Sequence, residues 1–187
     1  MIRIVLLFYC FLPCILFGQT AFISGNDTIC QNSQDFAKVS VFFSGSSPFT
    51  FNFAIDGIIQ STVITTINPY IINTNVEGNY TLVSYNDANS FGTVSGSGLV
   101  TVLESPIAII HLQSDTLSVA YPIANFISQS VGNIVSWDWN FGDNTMSVFS
   151  ENATHIYADS IAIYNTSLIV RDENGCLDTA KNNVWIR

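Results

Sequence analysis

From Phe36 onward, apolar residues return at every second position: Val39, Val41 and Phe43, then Phe49, Phe51, Phe53 and Ile55, with Thr50 and Asn52 between them. That period lines one face of an extended strand, whereas a helix would repeat its apolar stripe about every 3.6 residues. Turn residues fall between the runs, at Gly45-Ser46-Ser47-Pro48, Asp56-Gly57, Glu77-Gly78-Asn79 and Asn86-Asp87. Asp56-Gly57 is the most specific of these, because the two-residue turn of a hairpin requires positive φ. The pattern predicts strands over 37–44, 49–55, 58–65, 69–74, 79–86 and 93–103, a regular spacing that suggests an antiparallel sandwich. Glu104-Ser105-Pro106 interrupts the series, and a second set follows: 107–110, 116–119, 123–127, 134–141, 154–157, 163–170 and 179–186. The expected architecture is all-β, with two tandem antiparallel β-sandwiches over 19–105 and 106–187.

Composition narrows what such a chain does. Hydrophobic residues make up 48% and aromatics 13%, enough to fill a core, while only 10% of residues are charged, too few for the solvated faces of long helices. Each set of strands has fewer than 90 residues, so much of its surface stays exposed and the aromatics must supply most of the stabilisation. The formal charge of −9 becomes −10 once the N-terminal segment carrying Arg3 is set aside. Four scattered bases cannot neutralise a row of phosphates, so nucleic acid and anionic lipid are excluded as partners.

Met1-Ile2-Arg3, the apolar run Ile4 to Phe17 and the small Gly18 read as a secretory signal peptide over 1–18. Fourteen helical residues would cover about 21 Å, short of the roughly 30 Å hydrocarbon core. Neither Cys10, after Tyr9, nor Cys14, after Pro13, follows the small residue that lipid attachment needs, and no later segment is apolar enough to insert. Both cysteines leave with the leader, so Cys30 and Cys176 remain. With His111 and His155 these two lack the close pairing of a zinc site.

Trp137, Trp139 and Phe141 alternate along one strand and therefore share a face, with Asp138 and Asn140 on the other. Core packing is the simpler reading; a sugar-binding platform would need at least one ring exposed. Asp143, in a Gly142-Asp143-Asn144 turn, is placed to accept backbone N–H bonds. Calcium held by that turn and Asp138 is disfavoured, because six to eight oxygens and a D-x-D-x-D-G loop are missing. His155 shares a face with Tyr157 and reads as a structural, hydrogen-bonded histidine. Tyr164, Thr166, Leu168 and Val170 line one face of the next strand. Ser95-Gly96-Ser97-Gly98 fits neither a nucleophile elbow nor a phosphate loop. No nucleophile, metal cluster or cofactor motif emerges, so no enzyme activity and no cofactor are expected.

The run Trp137-Asp138-Trp139-Asn140-Phe141-Gly142-Asp143-Asn144 resembles the W-x-W-D-F-G-D-G signature of the polycystic kidney disease (PKD) domain. His155-Ile156-Tyr157, Tyr164 to Val170 and Asp172 to Asp178 resemble the rest of its pattern in order. Departures are Asn140, Asn144, Ala153 and Ala162, where the pattern has Asp, Gly, Pro and Gly; Asn144 still tolerates positive φ. The first half is similar to the Ig-like modules that accompany PKD domains in gliding-motility-associated surface proteins, through Ser24 to Cys30, Pro48 to Phe51, Gly78 to Leu82 and Gly96 to Val102.

The resemblance implies export to the cell surface or medium and passage through type IX secretion, directed by a separate C-terminal sorting domain that would begin where this chain stops, at Val184 to Arg187. The chain is accordingly read as truncated or as released by another route. The resemblance further implies a non-catalytic structural or adhesion module whose partners are other cell-surface proteins or glycans, present as a monomer or within a larger surface assembly. A carbohydrate-binding module is the alternative; a hydrolase fragment would need a catalytic domain that these residues lack. In the families resembled, each cysteine commonly has a partner inside its own domain. Here Ser90 and Tyr121 hold those positions, so Cys30 and Cys176 are expected as free thiols. Four Asp-Ser/Thr-apolar triplets, beginning at Asp27, Asp115, Asp159 and Asp178, look like bacterial O-glycosylation sites.

Overall fold

The computed structural model describes residues 18–187, and every regular element among them is a strand. The signal-peptide reading, with Cys10 and Cys14, lies outside the described residues. In chain order the strands are β1 (Thr20–Ser24), β2 (Asp27–Cys30), β3 (Ala37–Phe43), β4 (Phe49–Ile55), β5 (Ile58–Ile59), β6 (Val63–Thr65), β7 (Tyr70–Thr74), β8 (Gly78–Asn86), β9 (Thr93–Leu103), β10 (Ile110–Leu112), β11 (Thr116–Leu117), β12 (Ile123–Ser128), β13 (Ile134–Asn140), β14 (Ala153–Ile156), β15 (Ala162–Asp172) and β16 (Leu177–Ile186). Two compact units emerge. One comprises the described residues through Asn26, Lys38–Ile72 and Gly78–Leu99; the other comprises Asp27–Ala37, Asn73–Glu77 and Val100–Arg187.

In the first unit β4 pairs antiparallel with β8 on one side and with β5 and β6 on the other. The β4–β5 hairpin turns at Asp56 and Gly57 with φ of 49° and 81°, the positive pair that its sequence announces. The strand expected over 58–65 is divided into β5 and β6. The break lies beside Asn52 of β4, whose Nδ2 donates to Thr62 Oγ1 at 3.0 Å; on the other side of β4 the pairing with β8 shifts register after Asn52↔Ser84, where Val83 of β8 is passed over. β1, which the alternation did not announce, pairs antiparallel with β3 and parallel with β9.

Rings from both arms of the sheet meet in this unit's core: Phe43 of β3 stacks on Phe49 of β4 at 4.7 Å and approaches Tyr85 of β8 at 5.5 Å. A buried carboxylate fixes the adjoining turn. Asp87 accepts the N–H groups of Ser46, Asn89 and Ser90, each at 2.8 Å, and these bonds, Ser46 first, hold its carboxyl below the ordinary range.

In the second unit β10-β12-β14 forms a three-stranded sheet and β11-β16-β15-β13 a four-stranded one. Between them lies a core of Ala124, Phe126, Trp139, Phe141, Ala153, Tyr157, Leu168, Val170, Val184 and Ile186. β15 and β16 run antiparallel from Ala162↔Ile186 to Arg171↔Leu177, and their period-two pattern leaves Thr166, Leu168 and Val170 inward and Ile169 and Arg171 outward. Among the described residues β1 with β9, β2 with β9 and β11 with β16 pair in parallel.

The expectation of two free thiols is overturned. Cys30, at the end of β2, and Cys176, after the β15 turn, form a disulfide with Cα atoms 5.5 Å apart across 146 residues. The premise that failed is the placing of each cysteine in a separate body: β2 pairs with the C-terminal end of β9, from Asp27↔Val100 to Cys30↔Leu103, and both cysteines fall within the second unit. Asp172 presents Cys176 by accepting its N–H at 2.8 Å and that of Asn174 at 3.0 Å.

Candidate functional site

β13 and the residue that follows it deliver Trp139 and Phe141 to the core at 0% and 1% exposure, while Trp137 is only half-buried. Trp139 is held at three points: its Nε1–H donates to Ser150 O at 3.0 Å, and its backbone N–H and C=O pair with Val148. Phe126 lies against both Trp139 and Phe141, at 5.4 and 5.3 Å.

The turn after Phe141 is built from short local bonds. Gly142 N–H donates to Asn140 Oδ1 at 2.9 Å, and Asn144 takes φ of 62°, the left-handed conformation that its side chain tolerates. Gly142, with φ of 79°, passes so close to the Asn165 carbonyl that a Cβ would overlap it. Asp143 Oδ1 accepts the Thr145 hydroxyl at 2.6 Å and the Thr145 N–H at 3.1 Å, while Oδ2 faces His155 Nε2 at 2.6 Å.

His155 lies flat on Phe141, with centroids 4.0 Å apart and planes within 7°, and meets Tyr157 edge-on. Tyr157 in turn stacks on Tyr164 at 4.4 Å. The Tyr157 hydroxyl donates to Phe141 O at 3.2 Å and lies 2.9 Å from Thr166 Oγ1. Thr166 is fully buried yet satisfied, since its hydroxyl also reaches Phe141 O at 3.4 Å.

These contacts set the electrostatics. Burial acts to raise the Asp143 carboxyl, but the bonds from Thr145 and His155 outweigh it and hold the group below the ordinary carboxylate range. Burial pushes the Tyr157 phenol up to about 12, opposed by the Thr166 hydrogen bond and aided by the Asp143 charge and Tyr164.

Seven of the eight motif residues, Trp139, Phe141, Gly142, Asp143, His155, Tyr157 and Tyr164, thus belong to one ring-and-turn cluster, and Trp137 packs against the core beside it. The sequence did not reveal the Asp143–His155 pair, because the two lie on different strands and only the fold brings them together. Asp138 does not join Asp143; it faces away from the core. Among the described residues no group of three or more His, Cys, Asp or Glu side chains is arranged to hold a metal.

A second feature lies on the outer face of the four-stranded sheet. There Asp138, Phe149, Glu151, Arg171 and Leu177 line a groove of about 510 Å³ with Trp137 at its edge; the indole itself packs against the buried core and donates Nε1–H to Ser128 Oγ of β12 at 3.2 Å. Phe149 is 76% exposed, and no sequence pattern marked it, since it sits in the irregular segment between β13 and β14.

Comparison with known proteins agrees with the motif. Residues 105–186 match the PKD domain family. The pre-pro-metalloprotease PrtV of Vibrio cholerae serotype O1 is 33% identical over 105 residues, covering 56% of this chain and 11% of the protease, so the chain spans about a tenth of that relative's length. Among solved structures, the PKD1 domain of the Vibrio cholerae metalloprotease PrtV covers 44% of this chain and 96% of its own at 26% identity and a TM-score of 0.38. That of Vibrio anguillarum Epp covers 44% and 94% at 22% identity and the same TM-score. The segment that carries the ring-and-turn cluster is therefore the one that matches the PKD domain family.

Proposed function

We propose that the chain is a non-catalytic structural or adhesion module of an exported bacterial surface or secreted protein. The observation that carries this reading is the closure of the motif on itself. Trp139 and Phe141 are spent in packing, Asp143 and His155 bind each other, and Tyr157 and Thr166 satisfy one backbone carbonyl, so the cluster presents no free nucleophile or base to a substrate. The Cys30–Cys176 disulfide supports export, because such bonds persist in oxidising compartments. The Ig-like character of the first unit and passage through type IX secretion belong to the same reading and rest on the motifs at Ser24 to Cys30 and Gly78 to Leu82.

Two measurements test it. Expressed with residues 1–18 in a Gram-negative host, the chain should reach the periplasm shortened at its N-terminus and oxidised. The purified product should release no soluble fragments from casein, starch or chitin. Fragment release that Asp143→Asn and His155→Ala abolish would overturn the reading.

A further inference from the structure

The two halves of the Cys30–Cys176 disulfide stand in different surroundings. Cys176 is enclosed, at 1% exposure, whereas Cys30, at the end of β2, is only half-buried. Beside Cys30 lies a cavity of about 200 Å³, walled by Cys30 itself and by Gln31, Asn32, Ser33, Asp35 and Asn75. These last five side chains are exposed, and all of them, like both cysteines, belong to the second unit.

Thiol–disulfide exchange responds to that asymmetry, because a thiolate must reach the sulfur that it attacks. Cys176 offers no access, and Cys30 offers it through the cavity. The backbone on each side is held independently of the bridge. Gln31 N–H donates to Leu103 O at 2.7 Å and Ser33 N–H to Cys30 O at 3.3 Å, while Asp172 accepts the Cys176 N–H at 2.8 Å. An expelled Cys176 sulfur would therefore stay beside Cys30, buried and next to a carboxylate, a poor setting for a thiolate. Opening at Cys30 thus needs excess thiol, and the bridge recloses when the excess is removed.

We infer that Cys30 is a site of reversible S-thiolation by a small neutral or cationic thiol, which enters through the cavity beside it. The thiolate sulfur bonds to Cys30 Sγ and the Cys30–Cys176 bond breaks. Its electron pair leaves on Cys176 Sγ, which takes a proton from solvent, so one disulfide replaces another without net oxidation or reduction. Size limits the reactant: the cavity is smaller than the roughly 300–1,000 Å³ of drug-sized pockets and suits a compact thiol, not the dithiol loop of a folded oxidoreductase. Charge sets its class. Asp35 gives the wall a carboxylate in a chain of formal charge −9, so an anionic thiol meets a repulsion that a neutral or cationic one escapes. The amide and hydroxyl groups of Gln31, Asn32, Ser33 and Asn75 both donate and accept, which suits a thiol carrying an amine or hydroxyl.

The inference goes beyond the structural role proposed above, which stands whether or not a thiol adds. It is tested by incubating the purified, folded chain with millimolar cysteamine, 2-mercaptoethanol or 2-mercaptoethanesulfonate. The reaction is quenched with acid, free thiols are alkylated after unfolding, and both cysteines are mapped by peptide mass spectrometry. The added thiol should be found on Cys30 and the alkyl group on Cys176. At equal thiolate concentration cysteamine should react about threefold or more faster than the sulfonate. Asp35→Asn should narrow that ratio. Asn75→Trp, which fills the cavity, should slow adduct formation about tenfold while leaving the unfolding midpoint in place, because Asn75 is exposed. The inference is overturned if the adduct sits on Cys176 or equally on both, or if none forms until the chain is unfolded. It is equally overturned if the sulfonate reacts as fast as cysteamine, or if a protein dithiol opens the bond where no small thiol does.

Discussion

His155 stands between a ring and a charge: its imidazole stacks on Phe141 at 4.0 Å while Nε2 reaches Asp143 Oδ2 at 2.6 Å. The turn after β13 is thereby tied to β14 through one side chain, and the tie depends on Asp143 being ionised.

Asp143 therefore contributes to acid sensitivity. A carboxyl held below its unfolded value of about 3.9 adds stability that is present above that pH and lost as pH falls through the lowered folded value. Urea unfolding followed from about pH 6 down to about pH 2 should show stability dropping below about pH 4. Asp143→Asn should lose about 1–3 kcal/mol at neutral pH and show a shallower acid limb. An unchanged limb would mean that other carboxylates govern acid unfolding.

Tyr157 works at the opposite end of the scale. Its phenol, pushed up to about 12, keeps its proton in the folded state after the unfolded chain has begun to lose it near pH 10. Stability from this group is complete below about pH 10 and declines as pH rises toward 12. Tyr157→Phe should cost about 1 kcal/mol at neutral pH and remove that alkaline decline, read from unfolding midpoints between about pH 8 and 11.

Trp139→Ala should destabilise the second unit by about 3–5 kcal/mol, since the ring is fully buried and its Nε1–H satisfies Ser150 O. Trp137→Ala, at a half-buried ring, should cost less. Equal losses in guanidinium unfolding would show that the two rings contribute alike to the core.

The disulfide makes a prediction about connectivity. Thiol titration of the denatured, unreduced protein should find neither Cys30 nor Cys176 free. A protease site inserted between Ser105 and Pro106 and then cut should leave a single species until reductant is added. Cys30→Ser with Cys176→Ser should lower stability by about 2–5 kcal/mol. Two separate fragments without reductant would show the bond to be absent.

Local patterns carried most of the fold. Alternation located β3, β4 and β7 to within a residue, because each has one buried and one wet face and the period reports that difference directly. β1 and β2 escaped, although Ala21 and Ile23 are both fully buried, because they are short and gain their place by parallel pairing with β9 more than seventy positions away. Nothing within Thr20–Cys30 encodes that partner. The cluster was legible as a motif, but not as an ion pair: Trp139 and Tyr157 announce a face, whereas Asp143 and His155 meet only when β13 and β14 are brought into opposite sheets. The free-thiol expectation failed for the same reason, since the β2–β9 pairing that brings Cys30 to Cys176 is non-local.

Closing residues 30 and 176 on each other also decides how the molecule carries a load. A pull applied before Cys30 and after Cys176 passes through the sulfur bridge, not through the chain that separates the two by 146 positions. About 500 Å of chain contour is withheld from extension, at roughly 3.3–3.6 Å per residue. Under tension in an oxidising medium the chain behaves as a short, nearly inextensible link, and reduction alone converts it into one that can pay out length.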